Sequence, residues 1–165
     1  PRRVGEALSA VRRELPNGAI LFTFRTKEEG GETAVPEAYY FDLINYAIES
    51  GKVDAVDIEY FRSRESIEKT LAVAKAHSVT VVMSNHDFDK TPSFDEITER
   101  LIGMKKIGAD VAKLACMPNS AKDVLTLLSA TEAVNRSIRM NRSSPCPWVN
   151  SVPSAVLAVK SSAQP

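Results

Sequence analysis

The run Val111-Ala-Lys-Leu-Ala-Cys-Met117 is apolar except for the lysine at its centre. Gly108-Ala-Asp110 precedes it and Pro118-Asn119 follows it, and a bounded apolar run of this length is typical of a buried strand. Burying a lysine costs desolvation free energy, so Lys113 is expected to have a functional role. Desolvation disfavours the ammonium form and leaves an amine that can attack a carbonyl to form an imine. The alternative is a lysine whose side chain extends from the strand end into water.

Three other β-rich runs come before this one, at Ala19–Arg25, Ala55–Phe61 and Thr80–His86. Each of the four runs is followed by a segment with helical spacing of apolar residues. The predicted inward faces are Tyr40, Leu43, Ile44, Ala47 and Ile48 between Pro36 and Gly51; then Ile67, Leu71 and Ala74; then Ile97, Leu101 and Met104; then Val124, Leu127 and Leu128. Ser93-Phe-Asp-Glu96 has the form of a capping box. This alternation predicts βαβ crossovers and a parallel sheet.

Polar residues alternate with apolar ones along all four predicted strands. One face carries Thr23 and Arg25, then Asp57 and Glu59, then Thr80, Ser84 and His86, then Lys113. Strands of an open doubly wound sheet are usually apolar on both faces. A polar face shared by successive strands is what a barrel interior lined by a reaction site requires, so we predict an α/β protein of the (β/α) barrel type.

Composition limits the classes of function. The chain has 165 residues, with 21 basic and 21 acidic side chains, and this balance does not indicate a nucleic-acid partner or an anionic membrane. Cys116 and Cys146 lack metal-ligand spacing and fit a reducing cytoplasm better than a disulfide framework. No apolar stretch reaches membrane-spanning length, and no signal peptide opens the chain. We therefore expect a cytoplasmic protein that has neither nucleic acid nor membrane as its partner.

Arg25 and His86 lie at or near the C-terminal ends of their predicted strands, where α/β barrels build their sites. An imine at Lys113 would act as an electron sink, His86 could move a proton, and Arg25 could hold an anionic or polyhydroxylated substrate. Each has a structural alternative. His86 could be a core or capping histidine, and Arg25 could pair with Glu28, Glu29 or Glu32. Asp57 and Glu59 are expected to neutralise these cations inside the barrel, Gly30-Gly31 to form a mobile turn, and His77 to lie at a helix C-terminus.

Three segments together resemble the type I 3-dehydroquinate dehydratases. They are Leu21-Phe-Thr-Phe-Arg-Thr-Lys-Glu-Glu-Gly-Gly-Glu32, then Val82-Met-Ser-Asn-His-Asp-Phe88 with Lys90-Thr-Pro92, and Lys113-Leu-Ala-Cys-Met-Pro118 with Asp123-Val-Leu-Thr-Leu-Leu128. The resemblance runs from about Val11 to about Asn135. It implies a (β/α)8 TIM-type barrel, incomplete here with about four β/α units, that dehydrates 3-dehydroquinate without metal or cofactor. It also implies that full-length members form homodimers.

The resemblance assigns roles to four residues. Lys113 matches the imine-forming lysine and His86 the general acid/base. Glu29 matches the glutamate that orients this histidine, and Arg25 matches a substrate-binding arginine.

The chain departs from the family at both ends. The family's first two strands are expected before Pro1, and residues 136–165 follow no family pattern. We divide the chain into a partial barrel, 1–135, and an irregular tail, 136–165. Read one nucleotide out of frame, Cys146 to Val156 is compatible with Met-Ser-Met-Gly-Lys-Leu-Gly-Ala-Ile-Ser-Arg, the family's expected continuation. We therefore expect a frameshift near Asn135–Ser137, and a fragment that is itself inactive.

Two alternatives stay open. Schiff-base aldolases also place a strand lysine beside acid/base groups in a barrel. The second alternative is a remnant that keeps the motifs but has neither a stable fold nor activity. Its thermal transition would be broad and non-cooperative.

Overall fold

Strands and helices alternate along the chain, as the sequence predicts. The computed structural model describes residues 2–140 and 157–158, which divide into two units, one up to Met83 and one from Ser84. The first unit holds α1 (Arg2–Glu14), β1 (Leu21–Thr23), the short 3₁₀ helix Lys27–Glu29, α2 (Glu37–Glu49), β2 (Ala55–Glu59) and α3 (Arg64–Ala76). Strand β3 (Thr80–Asp87) crosses the division. The second unit continues with α4 (Phe94–Ile107), β4 (Val111–Cys116), α5 (Ala121–Met140) and β5 (Leu157–Ala158).

The strands are parallel, which confirms the predicted α/β class. In the first unit β1 pairs with β2, with Leu21 opposite Ala55 and Thr23 opposite Asp57, and β3 follows β2. In the second unit β4 follows β3 and pairs with β5, with Leu114 opposite Leu157. Parallel pairing with intervening helices is the arrangement that βαβ crossovers produce.

The first strand is shorter than the predicted run Ala19–Arg25, and hydrogen bonds to side chains flank it on both sides. The Ile20 N–H donates to Asp54 Oδ2 at 2.7 Å, and the Thr26 N–H donates to Glu59 Oε1 at 2.8 Å. Strand β2 ends at Glu59, two residues before the predicted strand end at Phe61. The Phe61 side chain is exposed.

Helix α4 begins as predicted. The Ser93 hydroxyl accepts a hydrogen bond from the Glu96 N–H, and the Glu96 carboxylate accepts one from the Ser93 N–H at 2.8 Å. The helix ends at Ile107, and the following Gly108 adopts the left-handed conformation with φ 116°. Gly51, just after α2, is also left-handed, and His77 follows the last residue of α3 as expected.

The predicted core faces are buried except at three residues: Leu71 and Val124 are half-buried, and Leu128 is exposed. In α3 the inward stripe runs through Ile67, Thr70 and Ala74, and Leu71 is only half-buried. In α5 it runs through Leu127, Ala130 and Val134. The prediction that Leu128 points inward is wrong, because this side chain lies one residue, about 100°, off the stripe and is 47% exposed.

Helix α1 was not predicted, although Leu8 packs inward from it. Arg12, in the last turn of α1, forms hydrogen bonds with the segments that precede β1 and β2. The guanidinium donates to the Gly18 carbonyl at 2.8 Å, to the Lys52 carbonyl at 3.0 Å and to Asp54 Oδ2 at 2.6 Å. One arginine thus joins three segments of the first unit.

The predicted boundary at Asn135 falls inside α5, which continues to Met140. Residues 141–156 and 159–165, with Cys146, lie outside the described part of the chain. None of the helices within residues 2–140 combines the length and hydrophobicity needed to cross a bilayer.

Candidate active site

Lys113 lies in the middle of β4, as predicted. Its neighbours Ala112 and Leu114 are buried, with 0% and 2% of their surface exposed, whereas Lys113 is half-buried. Side chains alternate across a strand, so Lys113 lies on the face opposite to both of them.

His86 lies near the C-terminal end of β3, the strand that precedes β4 in the sheet of the second unit. The two strand ends meet where the Met117 N–H donates to the Asp87 carbonyl at 2.9 Å. The His86 ring is half-buried and stacks on the Phe88 ring, with 6.0 Å between centroids and 16° between planes. The second unit therefore carries the predicted lysine and histidine on neighbouring strands.

Arg25 follows β1 in the first unit and faces three carboxylates. Its Nη2 lies 3.0 Å from Asp57 Oδ2, and its Nη1 lies 3.3 Å from both Glu59 Oε1 and Glu29 Oε2. Asp57 and Glu59 are each 1% exposed. The expected neutralisation of Arg25 by these two acids is present, and so is the ion pair with Glu29 that the sequence analysis gave as an alternative role for Arg25.

Glu29 ends the short 3₁₀ helix and is buried, with 6% of its surface exposed. The following glycines close this segment into a defined turn. Gly30 is left-handed with φ 85°, and the Gly31 N–H donates to the Thr26 carbonyl at 2.8 Å. The first unit thus brings Arg25 and Glu29 together.

Arg62 completes this cluster, and the sequence analysis missed it. Its Nη2 lies 2.7 Å from Glu59 Oε2 and also bonds the Thr26 hydroxyl, and the guanidinium lies 5.3 Å from the Tyr40 ring centroid. Arg62 comes one residue after the predicted strand Ala55–Phe61, so extending the search for polar residues past the strand end would have found it.

Electrostatics in the cluster follow burial and charge. Burial raises the pKa of Tyr40, whose hydroxyl oxygen accepts a hydrogen bond from the Glu59 N–H at 2.9 Å. Burial alone would lower the pKa of Arg62, but its hydrogen bonds to Glu59 and Glu28 raise it. Arg62 therefore stays cationic beside the buried Glu59.

In the second unit, Cys116 is a buried free thiol that donates to the Thr91 hydroxyl at 3.5 Å. Burial raises the pKa of this thiol, which disfavours a reactive thiolate. Across residues 2–140 and 157–158, His, Cys, Asp and Glu side chains do not form a group of three suited to a metal ion.

Residues 1–142 match the family described as type I 3-dehydroquinase. The chain belongs to that family. It is 50% identical over 133 residues to a curated 3-dehydroquinate dehydratase from Listeria welshimeri, which covers 81% of this chain and 53% of the relative. It is 47% identical over 126 residues to the one from Salmonella typhimurium, covering 76% and 50%. The chain therefore spans about half the length of these relatives.

Solved structures of 3-dehydroquinate dehydratases support the same assignment. The structure from Clostridium difficile, described as carrying covalent modified comenic acid, has a TM-score of 0.82 at 36% identity and matches 96% of this chain and 58% of its own. The structure from Enterococcus faecalis has a TM-score of 0.83 at 35% identity, with 98% and 62% covered. These matches confirm the predicted barrel type, of which the chain covers part, and they favour a dehydroquinase over the aldolase alternative.

Proposed function

We propose that this chain carries the imine chemistry of a 3-dehydroquinate dehydratase, a hydro-lyase that converts 3-dehydroquinate to 3-dehydroshikimate. The observation that carries the proposal is Lys113 on β4 beside β3, which holds His86, in a chain of the type I dehydroquinase family. No metal or organic cofactor is needed, because the protonated imine itself withdraws electrons from the adjacent carbon.

The steps balance as follows. The Lys113 amine adds to the ring carbonyl and releases one water to form the imine. His86 accepts a proton from the carbon next to the imine and gives that proton to the hydroxyl on the following carbon, which leaves as a second water. Hydrolysis of the product imine consumes one water and frees Lys113. The net change is the loss of one water from the substrate.

Arg25 and Glu29 belong to the first unit, and their roles in substrate binding and in orienting the histidine are proposed from the family resemblance. The ion pair that joins them supports a common function, because moving one side chain would disturb the other. A small-molecule substrate fits this family, and we further propose a cytoplasmic location and a homodimer for the full-length enzyme. The buried free thiol of Cys116 is compatible with a reducing compartment.

Trapping with borohydride tests the imine directly. The chain is incubated with 3-dehydroquinate, reduced, digested and mapped by mass spectrometry, and the adduct is expected on the peptide that contains Lys113. Lys113→Ala should abolish it, whereas Lys106→Ala, at an exposed position of α4, should leave it in place. An adduct elsewhere, or one formed only with aldehyde or keto-acid substrates of aldolases, would overturn the assignment.

His86→Ala separates imine formation from proton transfer. Trapping should persist, and product formation by the full-length enzyme should slow by about 10²–10⁴-fold, the contribution of a positioned acid/base group. Turnover close to that of the parent would show that His86 has another role.

The activity of the 165-residue chain by itself is a separate proposal. We expect no measurable turnover, because small misplacements of a substrate already cost around 10²-fold and the chain spans about half the length of its relatives. An absorbance assay for the conjugated product tests this. A cooperative melt of the same chain would count against the unfolded remnant.

The frameshift near Asn135–Ser137 also stays a proposal, together with the division into residues 1–135 and 136–165. The nucleotide sequence across this region tests it. An uninterrupted frame confirmed by resequencing, without a continuation in a second frame, would exclude it.

A further inference from the structure

Arg100 of α4 links two residues of β3 that flank His86. Its Nη1 donates to Asn85 Oδ1 at 2.9 Å and lies 3.8 Å from Asp87 Oδ2. Asn85 is 4% exposed, and the side chains of Arg100 and Asp87 are 19% and 17% exposed. A charged guanidinium bound to partners this shielded from water holds them more firmly than a surface pair does.

Side chains alternate along a strand, so Asn85 and Asp87 project to one face of β3 and His86 to the other. A single arginine thereby constrains the backbone on both sides of the histidine. We propose that Arg100 is a positioning residue that sets the orientation of His86 by holding Asn85 and Asp87. This inference rests on the proposed function, in which His86 moves the proton.

Asp87 extends the effect into the turn after β3. Its Oδ1 accepts hydrogen bonds from the Asp89 N–H at 3.3 Å and from the Lys90 N–H at 3.2 Å. Its carbonyl accepts the bond from the Met117 N–H, just beyond β4. A shift of Asp87 would therefore move the turn that carries Phe88, whose ring stacks on His86.

The stacking supplies a reporter. An aromatic ring displaces the resonances of protons held over its face, so the carbon-bound imidazole protons of His86 sense their position relative to Phe88. The chain contains only two histidines. His77, at the end of α3 in the first unit, serves as the internal reference.

The test records the imidazole proton spectrum of the 165-residue chain without substrate. Phe88→Leu identifies the His86 resonances and measures the contribution of the ring. Arg100→Ala should displace or broaden these resonances, and Arg100→Lys, which keeps the charge but not the planar fork, should do so to a smaller extent. His77 should stay in place. Arg136→Ala is the matched control, because Arg136 is an exposed helix arginine paired with Glu132 at i−4.

A loss of thermal stability in Arg100→Ala with His86 resonances unchanged would overturn the proposal, because it would show a structural role only. If Arg100→Ala does not fold, Arg100→Lys decides in the same way. The measurement involves no imine, so failure of trapping at Lys113 would refute the proposed function without altering this outcome. In the full-length enzyme, Arg100→Ala should lower kcat with little change in KM.

Discussion

Glu59 holds Thr26 by two hydrogen bonds at once, accepting the backbone N–H at one carboxylate oxygen and the hydroxyl at the other, each at 2.8 Å. The same carboxylate, 1% exposed, also accepts from Arg62 and Arg25. One buried acid at the end of β2 thereby fixes the start of the segment that carries Glu29. This makes Glu59 a structural centre of the first unit.

Glu59→Gln is expected to destabilise the chain by about 1–3 kcal/mol, because an amide cannot accept all of these hydrogen bonds and leaves buried donors unpaired. Urea unfolding measures the loss. Glu68→Gln is the control, since Glu68 makes an exposed i,i+4 pair with Arg64 and should matter little. Equal effects of the two substitutions would contradict the central role of Glu59.

Gly31→Ala is expected to open the turn after Glu29. A Cβ at this position would overlap the Arg25 carbonyl oxygen and lie 2.9 Å from the Thr26 carbonyl oxygen. These are backbone atoms, which cannot move aside as the end of a flexible side chain could. We expect a loss of about 1–3 kcal/mol, the usual cost of overpacking.

Gly51→Ala provides the comparison for this glycine. No atom lies within 4 Å of the added Cβ, so only the left-handed backbone, with φ 65°, opposes the change. The cost there should be about 1 kcal/mol. Equal unfolding midpoints for the two variants would argue against the close approach at Gly31.

The capping box predicts a pH dependence. Hydrogen bonds from the Ser93 N–H and then from its hydroxyl hold the pKa of Glu96 below its ordinary value of 4.5. A carboxyl with a lowered folded-state pKa contributes stability above its unfolded pKa, and this contribution is lost as pH falls through the folded pKa. Glu96→Gln should therefore be less stable than the parent at neutral pH and should converge with it in acid.

Urea unfolding at neutral pH and at values on both sides of 4.5 measures this convergence. Ser93→Ala, which removes the hydroxyl, should weaken the same pH dependence. Stability curves of parent and Glu96→Gln that stay parallel throughout the acid range would show that the carboxylate does not cap the helix.

Arg12→Lys tests the connection between α1 and the chain before β2. A lysine cannot reproduce the fork that reaches the Gly18 and Lys52 carbonyls, so we expect a loss of about 1 kcal/mol, reduced by the partial exposure of the site. Arg13→Lys is the control, because it makes the same chemical change at an exposed side chain. It should leave the unfolding midpoint unchanged. Similar losses in both variants would indicate an effect of helix propensity instead.

Local signals were sufficient for much of the fold. The short apolar, β-rich runs Thr80–His86 and Val111–Met117 predicted β3 and β4 to within a residue, and Ser93 with Glu96 marked the start of α4. Helices and strands of this kind depend on residues a few positions apart, so the sequence contains the whole signal. The motifs around Arg25, His86 and Lys113 also determined the family, which the comparisons confirm.

Tertiary structure decided the particular side-chain contacts among the alternatives that the sequence left open. Arg25 is 32 and 34 residues from Asp57 and Glu59, and its choice among several nearby acids depends on the pairing register of β1 with β2. Arg100 gave no local signal, because an arginine beside polar residues is ordinary on any surface, and Arg62 lies just past the end of a predicted strand. Leu128 shows the same limit in the core: its hydrophobicity suggested burial, but the packed stripe of α5 passes one position away. Contacts between distant segments arise only when the chain folds, and their energies depend on distances that no sequence pattern contains.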